Sequence, residues 1–148
     1  MFALTYVSMA EQHFEEEDIH ELETQACSRN QQLSVTGYLN YKKGKFLQYL
    51  EGEEKVVLDL MEAIDQDPRH RVLRTMYLPD IEERRFKDCY MRYWTHEELV
   101  QIKMDDMIEG VLLKMSERIY GEELLRNRVL QIVTRMAKFH KLHPQASR

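Results

Sequence analysis

The alternation of apolar and polar positions predicts a strand, a helix and a hairpin in the first third of the chain. Residues 2–8 (FALTYVS) are rich in aromatic and β-branched side chains and predict a strand. Residues 15–30 carry an apolar stripe at helical spacing behind an acidic first turn, which predicts a helix. Two apolar runs, at 34–41 and 45–51, flank Gly44 and predict a β-hairpin.

The following segment repeats the helix and strand signals. Residues 53–66 have apolar side chains three and four apart and predict an amphipathic helix that ends before Pro68. Residues 72–78 and 89–94 predict a fourth and a fifth strand. The order β-α-β-β-α-β-β is typical of an α+β fold with a ferredoxin-like sheet and two helices on one face. We expect this domain to occupy residues 1–94.

Residues 95–148 predict a C-terminal helical extension. Thr95 and Glu98 have the spacing of a capping box. Apolar side chains then recur at helical spacing, at Leu99, Ile102, Met107, Val111 and Met115 and again at Leu125, Val129, Ile132, Met136 and Phe139. The two predicted helices divide near residues 116–121. Because the predicted sheet has helices on one face only, we expect the extension to cap the other face and to provide a contact for a homo-oligomer.

Composition and charge limit the possible partners and compartments. The 148 residues carry a net charge of −5, which disfavours a broad nucleic-acid-binding surface. The two cysteines, Cys27 and Cys89, lack metal-ligand spacing, so we expect no metal site and free thiols in a reducing compartment. We expect neither a signal peptide nor a membrane span, because the N-terminus lacks a basic region and no apolar run approaches about 20 residues. A cytoplasmic protein is predicted.

Familiar catalytic motifs are absent from the sequence. There is no phosphate-binding loop, no zinc-binding HExxH and no nucleophile elbow, so we do not expect an enzyme. The acidic residues at 15–18 and 51–54 are interpreted as carboxylates at helix starts, where the helix dipole stabilises them.

The unusual residue of the hairpin is Gln48. It alternates onto the same face as Phe46 and Leu50, so burial of that face also buries its amide. A buried amide without hydrogen-bond partners costs roughly 1–3 kcal/mol. Packing or helix capping explains each buried polar candidate alone, but a phenol, two amides and a thioether together can hold the edge of a planar heteroaromatic ligand. These candidates are Tyr6, Asn30, Gln48 and Met91.

Five stretches of the chain together resemble the BLUF domain, the sensor of blue light that uses FAD. They are LTYVS (4–8), SRNQQLSVTGYLNY (28–41), GKFLQYLEG (44–52), DPRH (67–70) and RRFKDCYM (84–91). The resemblance covers about residues 1–94 in register. It implies a ferredoxin-like fold with the flavin between the two helices. It also implies FAD as the cofactor, with FMN or riboflavin as alternatives.

The resemblance assigns the photochemistry to three residues. Tyr6 is implied to donate an electron and a proton to the photoexcited flavin, and Gln48 to lie between Tyr6 and the ring. Met91 is implied to pass the change to the C-terminal helices and on to a separate signalling partner. Asn30 is implied to bond the polar edge of the ring. The other implied flavin contacts are Leu22, Ala26, Arg29, Leu39, Phe46, Ile64, Arg69 and His70.

Two positions depart from the family pattern. Cys89 stands where many members have a tryptophan two residues before the methionine, and we interpret it as a small core residue rather than a redox group. Ala26 stands where a serine often faces the glutamine. The lost hydrogen bond is expected to change the rate of dark recovery.

The resemblance leaves two other functions to be tested. They are a flavin-dependent oxidoreductase and a ferredoxin-like interaction module without photochemistry. Residues 95–148 are too few for a cyclase or phosphodiesterase output domain, so we expect a short, stand-alone member that acts on another protein.

Overall fold

The structure is a computed structural model that describes residues 1–87, 89–101, 107–114 and 121–142. The chain divides into two compact units, Met1–Asp105 and Asp106–Arg148. The first unit is an α+β domain built on one five-stranded sheet, which confirms the predicted fold class.

Strands and helices of the first unit follow the predicted order. The strands are Phe2–Ala10 (β1), Thr36–Lys42 (β2), Lys45–Gly52 (β3), His70–Leu78 (β4) and Arg92–Trp94 (β5). The helices are Glu16–Leu33 (α1), Glu54–Asp65 (α2) and His96–Gln101 (α3). The sheet order is β4-β1-β3-β2-β5, in which β5 runs parallel to β2 and the other neighbours are antiparallel. This order places β1 and β3 side by side within the sheet.

The β2–β3 hairpin turns at Lys43 and Gly44, as predicted. Their φ angles are 50° and 76°, and two positive values are characteristic of a two-residue hairpin turn. Gly37 on β2 meets a different requirement, because a Cβ atom there would lie 1.8 Å from the carbonyl oxygen of Tyr49. A side chain at this position would separate β2 from β3.

Helix α1 continues to Leu33, beyond its predicted end at residue 30. Three of its last four residues, Asn30, Gln31 and Gln32, are polar, so the apolar pattern weakens before the helix ends. Ser34 ends α1 in the left-handed conformation, with φ 54°. At the other end Glu15 and Asp18 form a capping box, and this confirms the acidic cluster at 15–18 as a helix start.

The hydrophobic core of the first unit lies between one face of the sheet and the inner stripes of α1 and α2. Its buried members come from alternate strand positions and from both helices, including Leu4, Tyr6, Leu39, Phe46, Leu50, Ile19, Ala26, Val57, Leu60 and Ile64. Burial of a large apolar side chain of this kind stabilises the fold by roughly 1.5–3 kcal/mol. The expected placement of two helices on one face is confirmed.

The opposite face of β3 carries Glu51, whose interpretation as a helix-start carboxylate was wrong. Glu51 is 0% exposed and lies within β3, and α2 begins only at Glu54. Its carboxylate accepts four hydrogen bonds, from the Phe86 N–H (2.7 Å), the Tyr49 hydroxyl (2.7 Å), the Arg85 N–H (3.0 Å) and the Thr36 hydroxyl (3.2 Å). These donors offset the cost of burying the carboxylate and attach the β4–β5 segment to the sheet.

Strand β5 is shorter than the predicted strand at 89–94. Two side chains of α1 donate hydrogen bonds to the residues before β5. The Asn30 amide donates to the Tyr90 carbonyl and the Cys27 thiol to the Met91 carbonyl, each at 2.9 Å. The ladder with β2 begins at the next residue, Arg92, and the Gly37 N–H also donates to the Cys89 carbonyl at 3.0 Å before the ladder starts. Met91 therefore precedes β5 instead of lying within it.

Most of the described residues after Thr95 form helices, as predicted. Thr95 and Glu98 make a reciprocal capping box at the start of α3, with two bonds of 3.1 Å. The second unit contains Met107–Lys114 (α4) and Glu122–Leu142 (α5), which pack on each other. Their buried side chains are Ile108, Val111, Leu112, Leu125, Val129, Ile132, Val133 and Met136.

Other expectations about the extension stay predictions. Ile102, Met115 and residues 116–120 lie outside the described residues. The domain boundary after residue 94 and the capping of the sheet also remain predictions. None of the described helices is both long and apolar enough to cross a membrane.

Candidate functional site

A cavity of about 190 Å³ lies between α1, α2 and the helix-facing side of the sheet. This volume is many times the roughly 10–15 Å³ that a single water needs. The wall is mainly apolar and contains a few polar groups, which is typical of small-molecule sites. The predicted contacts that line it are Tyr6, Leu22, Ala26, Arg29, Leu39, Phe46, Gln48, Ile64, Arg69 and His70.

Two predicted contacts, Asn30 and Met91, are not among the described residues of this wall. The structure adds residues that the sequence reasoning did not include, namely Phe14, Gln25, Leu60, Ala63 and Asp67. Helical spacing from Ile64 points to Leu60, four residues earlier on α2. Phe14 lies in the irregular link before α1, where no pattern identifies it; its ring packs on Phe46 at a centroid distance of 5.1 Å.

The cavity wall is centred on a hydrogen bond between Tyr6 and Gln48. The two residues are direct partners in the β1–β3 ladder, and they are 3% and 4% exposed. The Tyr6 hydroxyl donates to Gln48 Oε1 at 2.5 Å. Burial raises the pKa of Tyr6 well above its ordinary value, an effect that Arg29 reduces and Asp67 increases. Tyr6 is therefore a neutral phenol that donates a hydrogen bond to the amide oxygen.

The other end of the Gln48 amide is less well satisfied. Its nitrogen donates to Met91 Sδ at 3.7 Å, and a thioether is a weak acceptor. A carboxamide has two N–H groups, and the described contacts use one of them. The second can donate to a ligand in the cavity, so the wall fits a planar ring with an acceptor atom at its edge.

Arg29 and Asn30 connect the cavity to the segment before β5. Arg29 Nε donates to Asn30 Oδ1 at 3.2 Å, and Asn30 donates its amide N–H to the Tyr90 carbonyl. Burial lowers the pKa of Arg29, but a guanidinium remains charged. A cation whose described partner is a neutral amide suits a ligand with an anionic or electron-rich group.

A second cation on the wall is neutralised by its neighbour. Arg69 binds Asp67 through Nε–Oδ1 (3.0 Å) and Nη2–Oδ2 (2.6 Å), and its backbone N–H adds a bond of 2.9 Å. The hydrogen bonds from Arg69 lower the pKa of Asp67 to about 2. This pair therefore adds no net charge to the cavity around neutral pH.

His70 is held by protein groups on both ring nitrogens. Nε2 lies 2.6 Å from the Ile64 carbonyl and must donate, since a carbonyl oxygen can only accept. Nδ1 lies 2.7 Å from the Ser8 hydroxyl. His70 therefore contributes an oriented ring to the cavity wall.

Cys89 is a buried thiol rather than a thiolate. Its Sγ donates to the Gly37 carbonyl at 3.7 Å, and burial raises its pKa to about 12. Both Cys27 and Cys89 are free. These contacts support the interpretation of Cys89 as a core residue.

The fold and the cavity define a small-molecule-binding α+β domain with the ligand site between the sheet and two helices. A family model, described as BLUF, sensors of blue light using FAD, matches residues 1–92. The chain therefore belongs to the BLUF family, whose members sense blue light with a bound flavin. The expected cofactor, FAD, is confirmed as the one that the family uses.

Two similar curated proteins contain this domain within much longer chains. The photoactivated adenylate cyclase subunit beta of Euglena longa is 39% identical over 92 residues, which are 62% of this chain and 10% of the relative. The corresponding subunit of Euglena gracilis is 37% identical with the same coverage. The chain thus spans 10% of the length of these relatives.

Similar solved structures include two chains of comparable length and one much longer chain. The BLUF protein BlrB in its dark state has a TM-score of 0.70 and 27% identity, and the match covers 93% of this chain and 96% of BlrB. BlsA in its photo-activated state has a TM-score of 0.61 and 27% identity, with 89% and 94% covered. BlrP1 of Klebsiella pneumoniae, with FMN and cyclic diGMP, has a TM-score of 0.59 and 33% identity over 65% of this chain and 26% of BlrP1.

Proposed function

We propose that this chain is a blue-light photoreceptor whose response begins at Tyr6 and Gln48 beside a non-covalently bound flavin. The observation that carries the proposal is the chain of contacts from the Tyr6 hydroxyl to Gln48 Oε1 and from the Gln48 amide nitrogen to Met91 Sδ. Both Tyr6 and Gln48 also line the cavity, so a ligand there meets the same two groups.

The cavity residues divide into a polar edge and apolar walls. A bound flavin supplies the chromophore, because its ring absorbs blue light and is a strong oxidant when excited. Gln48 and Arg29, which line the cavity, would hold the polar edge of the ring. Asn30, which accepts a hydrogen bond from Arg29 and is not among the described residues of the wall, would complete this edge. Asn30 is suited to this because one N–H binds the Tyr90 carbonyl and the amide has a second. The apolar walls would come from Leu22, Leu39, Phe46 and Ile64.

Tyr6 is the proposed source of an electron and a proton. Its hydroxyl already donates to Gln48 Oε1, so an acceptor for the proton lies within hydrogen-bond distance. Burial keeps the phenol protonated in the resting state. When the electron and the proton return to Tyr6, no chemical product accumulates.

Gln48 is the proposed switch. The oxygen and nitrogen ends of its amide have nearly the same size and opposite hydrogen-bonding sense. Rotation or tautomerisation of the side chain therefore replaces an acceptor by a donor without a change of volume. The altered hydrogen bond at the ligand shifts the absorption to longer wavelength until the amide returns to its original arrangement in darkness.

Met91 is the proposed first element of the output. Its sulfur contacts the Gln48 amide, and β5 begins at the next residue. We propose that the change passes from Met91 to β5 and the C-terminal helices, and from there to a separate partner protein. In this proposal the chain is a sensor without catalysis of its own, whereas the Euglena relatives are named as photoactivated adenylate cyclase subunits.

Visible absorption of the purified protein, in the dark and after blue light, tests the proposal. The wild type should show a flavin spectrum that shifts to the red and recovers in darkness. Tyr6→Phe should bind flavin and lose the lasting shift. Tyr41→Phe is a matched control, because it removes a hydroxyl from a ring that packs on Phe46 beside the cavity. This variant should retain the red shift.

Three outcomes would contradict the proposal. A lasting shift in Tyr6→Phe would remove Tyr6 as the donor. Substrate-dependent bleaching of the flavin without a light-induced shift would favour an oxidoreductase. Protein that neither contains nor takes up flavin would favour an interaction module.

A further inference from the structure

Three side chains on one face of α1 bind the main chain of residues 90–93, and we call them the α1 clamp. They are Glu23, Cys27 and Asn30. The Glu23 carboxylate accepts a hydrogen bond from the Tyr93 N–H within β5. Glu23 thereby connects α1 to β5 by a contact that is separate from the pairing of β5 with β2.

The other two members of the clamp hold the carbonyls just before β5. The Cys27 thiol donates to the Met91 carbonyl and the Asn30 amide to the Tyr90 carbonyl, both at 2.9 Å. Burial raises the pKa of Cys27, with a further contribution from Glu23, so the sulfur keeps the proton that it donates. The backbone on both sides of Met91 is consequently attached to α1.

The clamp and the cavity share one helix. Positions 23, 27 and 30 are four and three residues apart and therefore lie on one face of α1. The adjacent positions Ala26 and Arg29 line the cavity. One helix thus contacts the ligand site on one side and positions the main chain of Met91 on the other.

Strand β5 depends on these contacts because its own ladder is short. It pairs with β2 over only three residue pairs, from Arg92 to Trp94. Each hydrogen bond of the clamp changes the equilibrium between the attached and the detached position of the main chain at 90–93 by roughly twofold to tenfold. Loss of one bond is therefore large enough to alter where Met91 sits without unfolding the domain.

We infer that Glu23 and Cys27 are positioning residues for the light response, which fix the main chain at 91–93 and so hold Met91 against Gln48. The inference rests on the proposed function, since the contact between Met91 and Gln48 affects a signal only if Gln48 is the switch. The clamp favours the resting arrangement. Its loss should therefore slow the return to that arrangement after illumination.

The first test is the rate of dark recovery of the full chain with bound flavin. Glu23→Ala should slow recovery about threefold to tenfold, and Glu23→Gln, which keeps an acceptor for the Tyr93 N–H, should restore a rate within about twofold of the wild type. Cys27→Ala should slow recovery about twofold to fivefold, and Cys27→Ser should restore it. Glu17→Ala is the control, because Glu17 is an exposed glutamate in the first turn of the same helix.

A second measurement reports on the clamp without light. Hydrogen exchange of the Tyr93 amide in darkness should be about tenfold faster in Glu23→Ala than in the wild type or in Glu17→Ala. Flavin occupancy measured on the same samples shows whether the cavity is intact. If Glu23→Ala does not fold, the Cys27 pair decides the question through its recovery rates.

The outcomes separate the inference from the proposed function. Unchanged recovery and unchanged Tyr93 exchange in Glu23→Ala would overturn the inference, as would faster recovery. Equal slowing in Glu23→Ala and Glu23→Gln would assign the effect to the charge of Glu23, and this result would also overturn the inference. A wild-type protein with no red shift would overturn the proposed function, and the exchange rate would still show whether Glu23 fixes β5.

Discussion

Gln48 and Glu51 are two buried polar residues on β3, and they differ in how their hydrogen bonds are satisfied. They lie three positions apart and therefore on opposite faces of the sheet, and they are 4% and 0% exposed. Glu51 accepts hydrogen bonds from four protein groups. Gln48 has one strong bond to Tyr6 and one weak contact with the sulfur of Met91.

The difference shows how one strand can provide both a scaffold and a switch. A buried carboxylate needs several fixed donors, and two of the four that bind Glu51, the Arg85 and Phe86 N–H groups, fix part of the β4–β5 segment. A neutral amide can be buried with incomplete bonding at a much lower cost, and it can exchange its two ends. The ligand site therefore lies beside the residue whose bonding the protein leaves incomplete.

Removal of the Glu51 carboxylate should have the largest effect on stability. Glu51→Ala removes the acceptor of two backbone N–H groups and two hydroxyls, so we expect a loss of roughly 3–5 kcal/mol in the free energy of unfolding. Urea denaturation of the flavin-free protein measures this change. Glu51→Gln, which keeps one acceptor, should lose less, and Glu62→Ala, at an exposed position of α2, should change stability by less than about 0.5 kcal/mol. Equal stability of Glu51→Ala and the wild type would show that the carboxylate does not hold the segment.

Removal of the Gln48 amide should abolish the response and preserve the fold. Gln48→Leu replaces the amide by an apolar side chain of similar size and leaves the buried Tyr6 hydroxyl without its acceptor. We therefore expect a loss of roughly 1–3 kcal/mol in the free energy of unfolding and a yellow protein without the red shift. Absorption spectra before and after illumination test this prediction. Gln25→Leu makes the same change at an exposed position of the cavity wall and should retain the shift. A lasting red shift in Gln48→Leu would contradict the role of Gln48 as the switch.

Removal of the Asn30 amide should weaken flavin retention. Asn30→Ala removes a donor proposed for the ring and the bond to Tyr90, so we expect flavin affinity about tenfold weaker. Equilibrium dialysis or fluorescence titration with FAD measures the affinity. Asn40→Ala is the matched control. Asn40 also donates to a main-chain carbonyl, that of Trp94 at 2.8 Å, but it alternates with the cavity-lining Leu39 and therefore lies on the face of the sheet away from the cavity. Equal affinities of the two variants would contradict the role of the Asn30 amide in holding the flavin.

Alkaline pH should have the smallest effect on the response. Burial raises the pKa of Tyr6 above its ordinary value of about 10, so the phenol stays protonated and the amplitude of the red shift should be constant from pH 7 to about pH 10. Above about pH 10 the unfolded chain releases phenolic protons that the folded chain retains, so stability should fall as pH rises. Tyr38 and Tyr49, whose pKa values burial also raises, act in the same direction. A shift amplitude that declines with a midpoint well below pH 10 would contradict the buried, neutral Tyr6.

Local patterns were sufficient for most of the fold and insufficient where tertiary contacts decide. Gly44 between two apolar runs located the hairpin, and the stripe of α2 located the second helix. The start of β5 could not be predicted, because the contacts of the preceding carbonyls are tertiary. They come from Cys27 and Asn30, which are far away in sequence. The acidic run that continues into α2 predicts a helix start at Glu51, and only the bonds from the Arg85 and Phe86 N–H groups identify its role.

The candidate site was predictable to the extent that it follows from strand alternation and topology. Tyr6 and Gln48 alternate onto the helix-facing side of neighbouring strands, and their direct pairing follows from the register. The expected position of Met91 within β5 was wrong, yet its contact with Gln48 is present. Phe14 could not be predicted, because a link without periodicity carries no signal for the direction of a side chain.

The Glu23 carboxylate has one further consequence, for the behaviour of the protein at high concentration. β5 is an edge strand, and the unpaired N–H groups of an edge invite a strand from another molecule. The Tyr93 N–H already donates to Glu23, and the strand is only three residues long. Helix α1 thus protects this side of the sheet against intermolecular strand addition and aggregation.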